Sequence, residues 1–369
     1  MTTSLDKRFA QLLTEYCVRV QPGDRILLQS GTPAIPLLEH LARAILKNGG
    51  IPLLQLWSEG YTEAVSEEAT PEQLEGTLAF VRTAYETFEG RIRIHSDLNT
   101  AHLEQLPAIK RSALSRANEP ILDAQFSRGA QGAFKWVTTI YPTSGYAQEA
   151  GMGTEEFARL VYRACHLDKP EEDPLAYWRS LKERTNELAE RLSDAKQVQL
   201  LAPECDLSFS LEGRTFKGDF GENNMPGGEV YTAPVEDSVQ GHIKFTHPVA
   251  SGGTRLAGVD LTFEDGKVVK AKAEQGDQAL HALLSTDAGA RYLGEFGIGT
   301  NTDIQQPVGR ALLDEKIAGT IHLALGKAYP EVGGENQSSV HLDIVKDMTE
   351  NAEIRFDGEA IYRDGQFLW

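Results

Sequence analysis

Two histidines in the second half of the chain stand in apolar alternations that present them to one side of a strand. In Thr320-Ile-His-Leu-Ala-Leu325, Ile321, Leu323 and Leu325 share one face and His322 points to the other. The pattern recurs in Ser339-Val-His-Leu-Asp-Ile-Val345. There Val340, Leu342 and Ile344 face a core, while His341 and Asp343 project together on the opposite side. A His-x-Asp pair on one strand face sets two good metal ligands about 6–7 Å apart at their Cα atoms. Taken singly, either histidine reads equally well as an ordinary polar residue on a solvated face. Two acids in glycine-rich settings shift that balance. Glu229 lies in Asn224-Met-Pro-Gly-Gly-Glu-Val-Tyr-Thr-Ala-Pro234, and Glu295 in Gly294-Glu-Phe-Gly-Ile-Gly-Thr-Asn301. Glycine lets the backbone approach closely whatever the neighbouring acid binds. Together Glu229, Glu295, His322, His341 and Asp343 supply three carboxylates and two imidazoles. That mixture suits zinc, cobalt or manganese, and suits a pair of ions bridged by one carboxylate. With no Cys in the set, a structural zinc site is not expected.

These residues need elements to hold them, and the texture of the chain changes midway. Leu5, Phe9, Leu12, Leu13 and Tyr16 follow a helical repeat. Pro22-Gly23 then turns into a strand at 25–29, followed by a helix over 34–48 closed by Gly49-Gly50 and a second strand at 51–57. Strand, helix and strand in this order predict a parallel βαβ unit. The loop Ser30-Gly31-Thr32-Pro33 lacks the glycine spacing of a dinucleotide fingerprint and the Lys of a P-loop, and reads as a turn. A charged breaker at 169–174 precedes a long amphipathic helix over 175–193, marked by Leu175, Trp178, Leu181, Leu188 and Leu192. Beyond Asp194, short alternations and glycine turns take over, with a hairpin over 258–272 turning at Asp265-Gly266. The expectation is an α+β chain: an α/β domain with a parallel sheet at 1–190, and a mostly-β domain carrying a dimetal site at 191–369.

Composition narrows the partners. The chain has 369 residues, with 36 Lys and Arg against 54 Asp and Glu, a formal charge of −18. Such a charge repels phosphate backbones, so no nucleic-acid partner is expected. No apolar run approaches the ~20 residues of a membrane span, so no membrane partner is expected either. The N-terminus has no apolar signal region. Cys17, Cys165 and Cys205 are too far apart for a disulfide framework, and a cytoplasmic location follows.

The blocks themselves carry a resemblance. Residues 224–234, Val-Glu-Asp-Ser-Val at 235–239, Gly-Glu-x-x-x-Gly-Thr-Asn at 294–301, Asp-Glu-Lys-Ile-x-Gly-Thr-x-His-x-Ala-x-Gly-x-Ala-Tyr-Pro at 314–330 and Asn-x-Ser-x-x-His-x-Asp at 336–343 resemble the signature blocks of the thermophilic aminopeptidase family (aminopeptidase T, peptidase family M29). Pro142-Thr143 and Gln148-x-Ala-Gly-Met-Gly-Thr-Glu-Glu-Phe157 extend the likeness into the first half. The resemblance implies a metal-dependent exopeptidase of broad specificity that removes N-terminal residues from peptide substrates and works as a homodimer. It implies two divalent ions (Zn, Co, Mn or Mg) on Glu229, Glu295, His322, His341 and Asp343. Glu295 would bridge the ions that activate the attacking water, and Tyr329 would serve as the active-site tyrosine. Glu315 reads either as an added ligand or histidine-orienting acid, or as a surface acid. From its sequence setting alone, Tyr329 reads equally as an amphipathic core residue. One departure stands out: the family carries a longer loop between the positions of Tyr329 and His341. Two alternatives remain open: another dimetal amide hydrolase on this scaffold, or a metal-binding homologue without catalysis.

Overall fold

The computed structural model describes residues 2–100, 107–251 and 254–369, which form two compact units. The first comprises Met1–Trp178 and Gly221–Met225; the second comprises Arg179–Phe220 and Pro226–Trp369.

The first unit is built on a parallel sheet. Arg25–Gly31 lies between Ile51–Trp57 and Gly90–His95, followed by Lys135–Ile140 and the short strand Asn224–Met225. All the neighbouring strands run parallel. Ile26, Leu27 and Leu28 are buried in succession, as a strand covered on both faces requires. The predicted helix spans Ile35–Lys47 and buries Leu37, Leu38, Leu41 and Ile45. It ends where Gly49 takes φ +80°, a conformation glycine adopts without steric cost. The loop after the first strand is a turn of 3₁₀ helix, Thr32–Ala34, leading directly into this helix. The amphipathic helix predicted over 175–193 runs from Pro174 to Leu192.

The second unit packs two large antiparallel sheets and a two-stranded ribbon around one core. One has eight strands; its hairpin Asp260–Glu264 with Lys267–Lys272 turns at Asp265-Gly266 as predicted. The other has five strands: β1 (Lys217–Asp219), β2 (Glu229–Thr232), β3 (Leu293–Gly299), β4 (Thr320–Gly326) and β5 (His341–Asp347). They lie in the spatial order β5-β4-β3-β2-β1. Leu207, Phe209 and Ile243 from the larger sheet meet Val230, Phe296, Ile321, Leu323 and Ile344 from the smaller one. Phe209 and Phe296 stack edge to face with ring centroids 5.2 Å apart. Each such side chain contributes about 1.5–3 kcal/mol by leaving water, so this inner face anchors the strands whose other face carries the polar residues.

Candidate metal centre

The period of two along the smaller sheet decides what faces away from its core. On β4, Ile321, Leu323 and Leu325 enter the core, and His322 projects from the opposite face. On β5, Leu342 and Ile344 enter it, so His341 and Asp343 stand beside each other on the outer face. On β2, Val230 is in the core and Glu229 opposes it.

β3 needs a correction to that rhythm. Strict alternation would put Leu293 and Glu295 on the same face. The register slips between Leu293 and Glu295, which pair with the consecutive residues Leu325 and Ala324. This bulge turns Glu295 outward while Leu293 and Phe296 both stay in the core. Gly294 sits at the slip, where a Cβ would collide with the carbonyls of Gly326 and Lys327. Gly297, paired with His322, gives its imidazole room: a Cβ there would overlap the ring. Gly228 makes the tight approach before Glu229. Its φ is +118°, and a Cβ would fall 2.7 Å from that of Asn301, whose side-chain amide donates to the Gly227 carbonyl at 2.9 Å. Gly227 and Gly228 thus act as loop formers.

The five predicted ligands come together in two groups that share one member. Candidate ligand atoms of Glu229, Glu295 and His322 lie within 4.8 Å of one another, as do those of Glu295, His341 and Asp343. His322 Nε2 is 3.1 Å from Glu229 Oε2 and 3.4 Å from Glu295 Oε1. His341 Nε2 is 3.3 Å from the other Glu295 oxygen and 3.5 Å from Asp343 Oδ2. Neither histidine lies on a freely solvated face: His322 is fully buried, and the His341 side chain is 25% exposed.

The electrostatics follow from this crowding. Burial alone would lower the His322 imidazole, but Glu229 and Glu295 outweigh it and push it up to about 9. Burial likewise disfavours charge on His341, yet Asp343 and Glu295 raise it well above the usual histidine range. Burial pushes Glu229 up to about 7 against the pull of Lys316 and His322. For Glu295 the hydrogen bonds from His322 and His341 overcome burial and hold the carboxyl below its usual range. Asp343 is held well down too, its burial outweighed by His341.

The donor set fits divalent cations. His341 Nδ1 donates to the Lys327 carbonyl at 2.8 Å, so the neutral ring turns the lone pair of Nε2 toward two carboxylates. Lone pairs facing one another repel unless a proton or a cation lies between them. Asp343 Oδ1 is buried with no hydrogen-bond donor among the described residues. Nitrogen and oxygen donors without sulfur match zinc, cobalt and manganese chemistry.

Tyr329 combines both of its predicted characters. Its ring packs against Ala233, Ala328 and Val332, and its hydroxyl lies 3.5 Å from His341 Nε2. Burial, then the charges of Glu295 and Asp343, hold the phenol well above the usual tyrosine range, so it stays protonated. Glu315 is no surface acid: its side chain is only 12% exposed and pairs with Lys316 at 2.7 Å. Neither ligand group contains it.

One residue of the site escapes sequence reasoning. Lys316 is fully buried and forms ion pairs with Asp219 at 2.9 Å, with Glu315, and with Glu229 through a short contact to Oε1. Its signal was the Asp-Glu-Lys-Ile block, where a lysine sits between an acid and an apolar residue. The segment between Tyr329 and His341 is tied down at several points. Arg214 donates to the Gly333 carbonyl and pairs with Glu236 at 2.7 Å, while Glu236 accepts the amides of Glu335 and Asn336. Asp287 takes the Ser338 and Ser339 hydroxyls at 2.8 and 2.9 Å.

Comparison with known proteins agrees with the sequence blocks. Residues 3–367 match the family described as thermophilic metalloprotease (M29). Aminopeptidase 2 of Geobacillus stearothermophilus is 28% identical, over 99% of this chain and 98% of its own. Aminopeptidase T of Thermus thermophilus is 28% identical, over 97% and 96%. The solved structure of wild-type AmpT from Thermus thermophilus superposes with a TM-score of 0.84 at 25% identity, covering the whole of both chains. A 2,5-dihydroxypyridine dioxygenase from Pseudomonas putida KT2440 shares the fold, with a TM-score of 0.62 at 16% identity. The chain belongs to the thermophilic metalloprotease (M29) family, as its sequence blocks predict.

Proposed function

We propose that this centre holds two divalent ions, zinc, cobalt, manganese or magnesium, with Glu295 as the carboxylate common to both. The chain is a metallo-aminopeptidase, a hydrolase and exopeptidase acting on peptide substrates. The observation that carries the two-ion reading is the shared membership of Glu295. One of its oxygens faces His322 and the other faces His341, so a single carboxylate belongs to both ligand groups. Glu229 and His322 would complete one ion's set, and His341 and Asp343 the other's. Charge supports the same count. With the imidazoles neutral, as ligation requires, and Asp219, Glu229, Glu295, Glu315 and Asp343 ionised, one ammonium, Lys316, leaves four negative charges for two divalent cations to neutralise. Bound there, the ions supply Lewis acidity toward the scissile carbonyl and lower the pKa of a water toward neutrality.

The protein's own groups do the rest. The protonated Tyr329 hydroxyl donates to the oxygen that gains charge as the carbonyl becomes tetrahedral, a contact worth about 3–4 kcal/mol when preorganised. Lys327, through its carbonyl, fixes the His341 tautomer. Broad side-chain specificity, a homodimer and a cytoplasmic location belong to the same reading. The last of these is supported by three buried cysteines and by the lack, among the described residues, of a helix long and apolar enough to cross a membrane.

Leucine p-nitroanilide tests the activity. Hydrolysis should stop with a chelator and return with Co²⁺ or Zn²⁺, and an N-acetylated analogue should resist cleavage. Equal cutting of the acetylated substrate would contradict an aminopeptidase.

A further inference from the structure

Lys316 sits behind the centre, and its ammonium has three N–H donors for three carboxylates drawn from separate stretches of chain. Asp219 ends β1, Glu229 opens β2, and Glu315 follows the helical turn Ala311–Asp314. Fully buried and enclosed by these carboxylates, the ammonium has no exposed face to offer a substrate, so Lys316 is a positioning residue. The division of Glu229 between its neighbours is the informative feature. Its Oε1 meets Lys316, while its Oε2 faces His322 Nε2 at 3.1 Å.

We infer that Lys316 selects the cation: it engages one oxygen of Glu229, and with it Asp219 and Glu315, so that Glu229 offers an ion a single oxygen. The inference rests on Glu229 being a ligand. Calcium takes six to eight oxygens and favours carboxylates that give both. Zinc and cobalt accept fewer donors of mixed nitrogen and oxygen type. Holding back one oxygen of Glu229 and two neighbouring acids therefore disfavours calcium far more than zinc. Gly228 and Asn301 pin the backbone before Glu229, which fixes the point from which its side chain reaches Lys316.

The test is calorimetric titration of the chelator-stripped full-length chain with Ca²⁺ and with Zn²⁺, in three variants beside the unaltered protein. Lys316→Met releases Glu229 but adds a net negative charge to the cluster. Asp219→Asn/Glu315→Gln/Lys316→Met also releases Glu229, removes one negative charge net, and spares Asp219 and Glu315 the loss of their lysine, while Glu229 keeps His322 as a neighbour. The ratio of Ca²⁺ to Zn²⁺ dissociation constants should fall about tenfold in both. A ratio that is unchanged in both, or that moves in opposite directions with net charge, overturns the inference. If circular dichroism shows Lys316→Met unfolded, the triple variant decides alone by the same criterion. Glu229→Gln is the control for the underlying reading. Undiminished Zn²⁺ affinity in Glu229→Gln removes Glu229 from the ligands, whereas weakened Zn²⁺ affinity there with unmoved ratios in the lysine variants overturns only the role of Lys316.

Discussion

On one side of Glu295 stand Glu229 and His322, both buried, with Glu229 tied to a buried lysine. On the other stand His341 and Asp343 at the start of β5, where the His341 side chain is a quarter exposed and touches Tyr329. The ligand chemistry is nearly the same in both groups: shared Glu295, one imidazole, one further carboxylate. What differs is the support. The buried group is fixed by Lys316, by Gly297 making space for His322 and by the Gly228 turn, all of which restrict movement. The outer group is approached by a tyrosine and by a loop secured through Arg214, Glu236 and Asp287. We read the first as the retentive half and the second as the working half, where substrate meets the hydroxyl of Tyr329.

The largest expected effect comes from Glu295, the only member of both halves. Glu295→Ala should remove both ions and lower kcat/KM by about 10³-fold or more, with metal content by mass spectrometry falling together with activity. If one ion stayed at full occupancy, the two halves would not share that carboxylate. Asp343→Ala should separate them, abolishing metal-dependent turnover while the Glu229 side keeps its ion. Unchanged activity would remove Asp343 from the site. Tyr329→Phe comes next. Loss of the hydroxyl should cost about 10²–10³ in kcat with metal content unaltered, because the tyrosine acts on the reacting oxygen and not on the ions.

The halves should also respond to pH through proton competition. In the cation-free protein His322 keeps its proton up to about 9, and Glu229 keeps one up to about 7. An ion must displace these protons and that of His341, so apparent affinity should rise with pH through this range. Between pH 8 and pH 6 it should drop about tenfold or more per displaced proton, measurable by calorimetry in buffers of different ionisation enthalpy. An affinity independent of pH across that window would mean that the imidazole is not a ligand. The smallest effect is expected at the loop. Arg214→Met should destabilise the chain by about 1–3 kcal/mol and speed hydrogen exchange of the amides between Gly333 and Val340, with only a few-fold loss of activity.

The sequence carries the five site residues because period-two alternation is explicit around His322, His341 and Asp343. The glycines flanking Glu229 and Glu295 are likewise signs of close backbone approach. Other features depend on tertiary contacts that no local pattern encodes. Alternation with Phe296 and Ile298 puts Glu295 outward, but only a one-residue slip at Gly294 lets Leu293 share the core with them. Lys316 looks like any lysine in an acidic stretch until two distant segments bring Asp219 and Glu229 to it. Asn224–Met225 joins the parallel sheet of the first unit although the chain on either side of Gly221–Met225 belongs to the second, and two residues are too few for any periodicity to show.

Anomalous scattering from a cobalt-soaked crystal, recorded on both sides of the cobalt absorption edge, tests the central claim most directly. The account predicts two peaks flanking the Glu295 carboxylate, one bounded by Glu229 and His322 and the other by His341 and Asp343. A single peak, or two peaks of which either lies outside contact with Glu295, would contradict it.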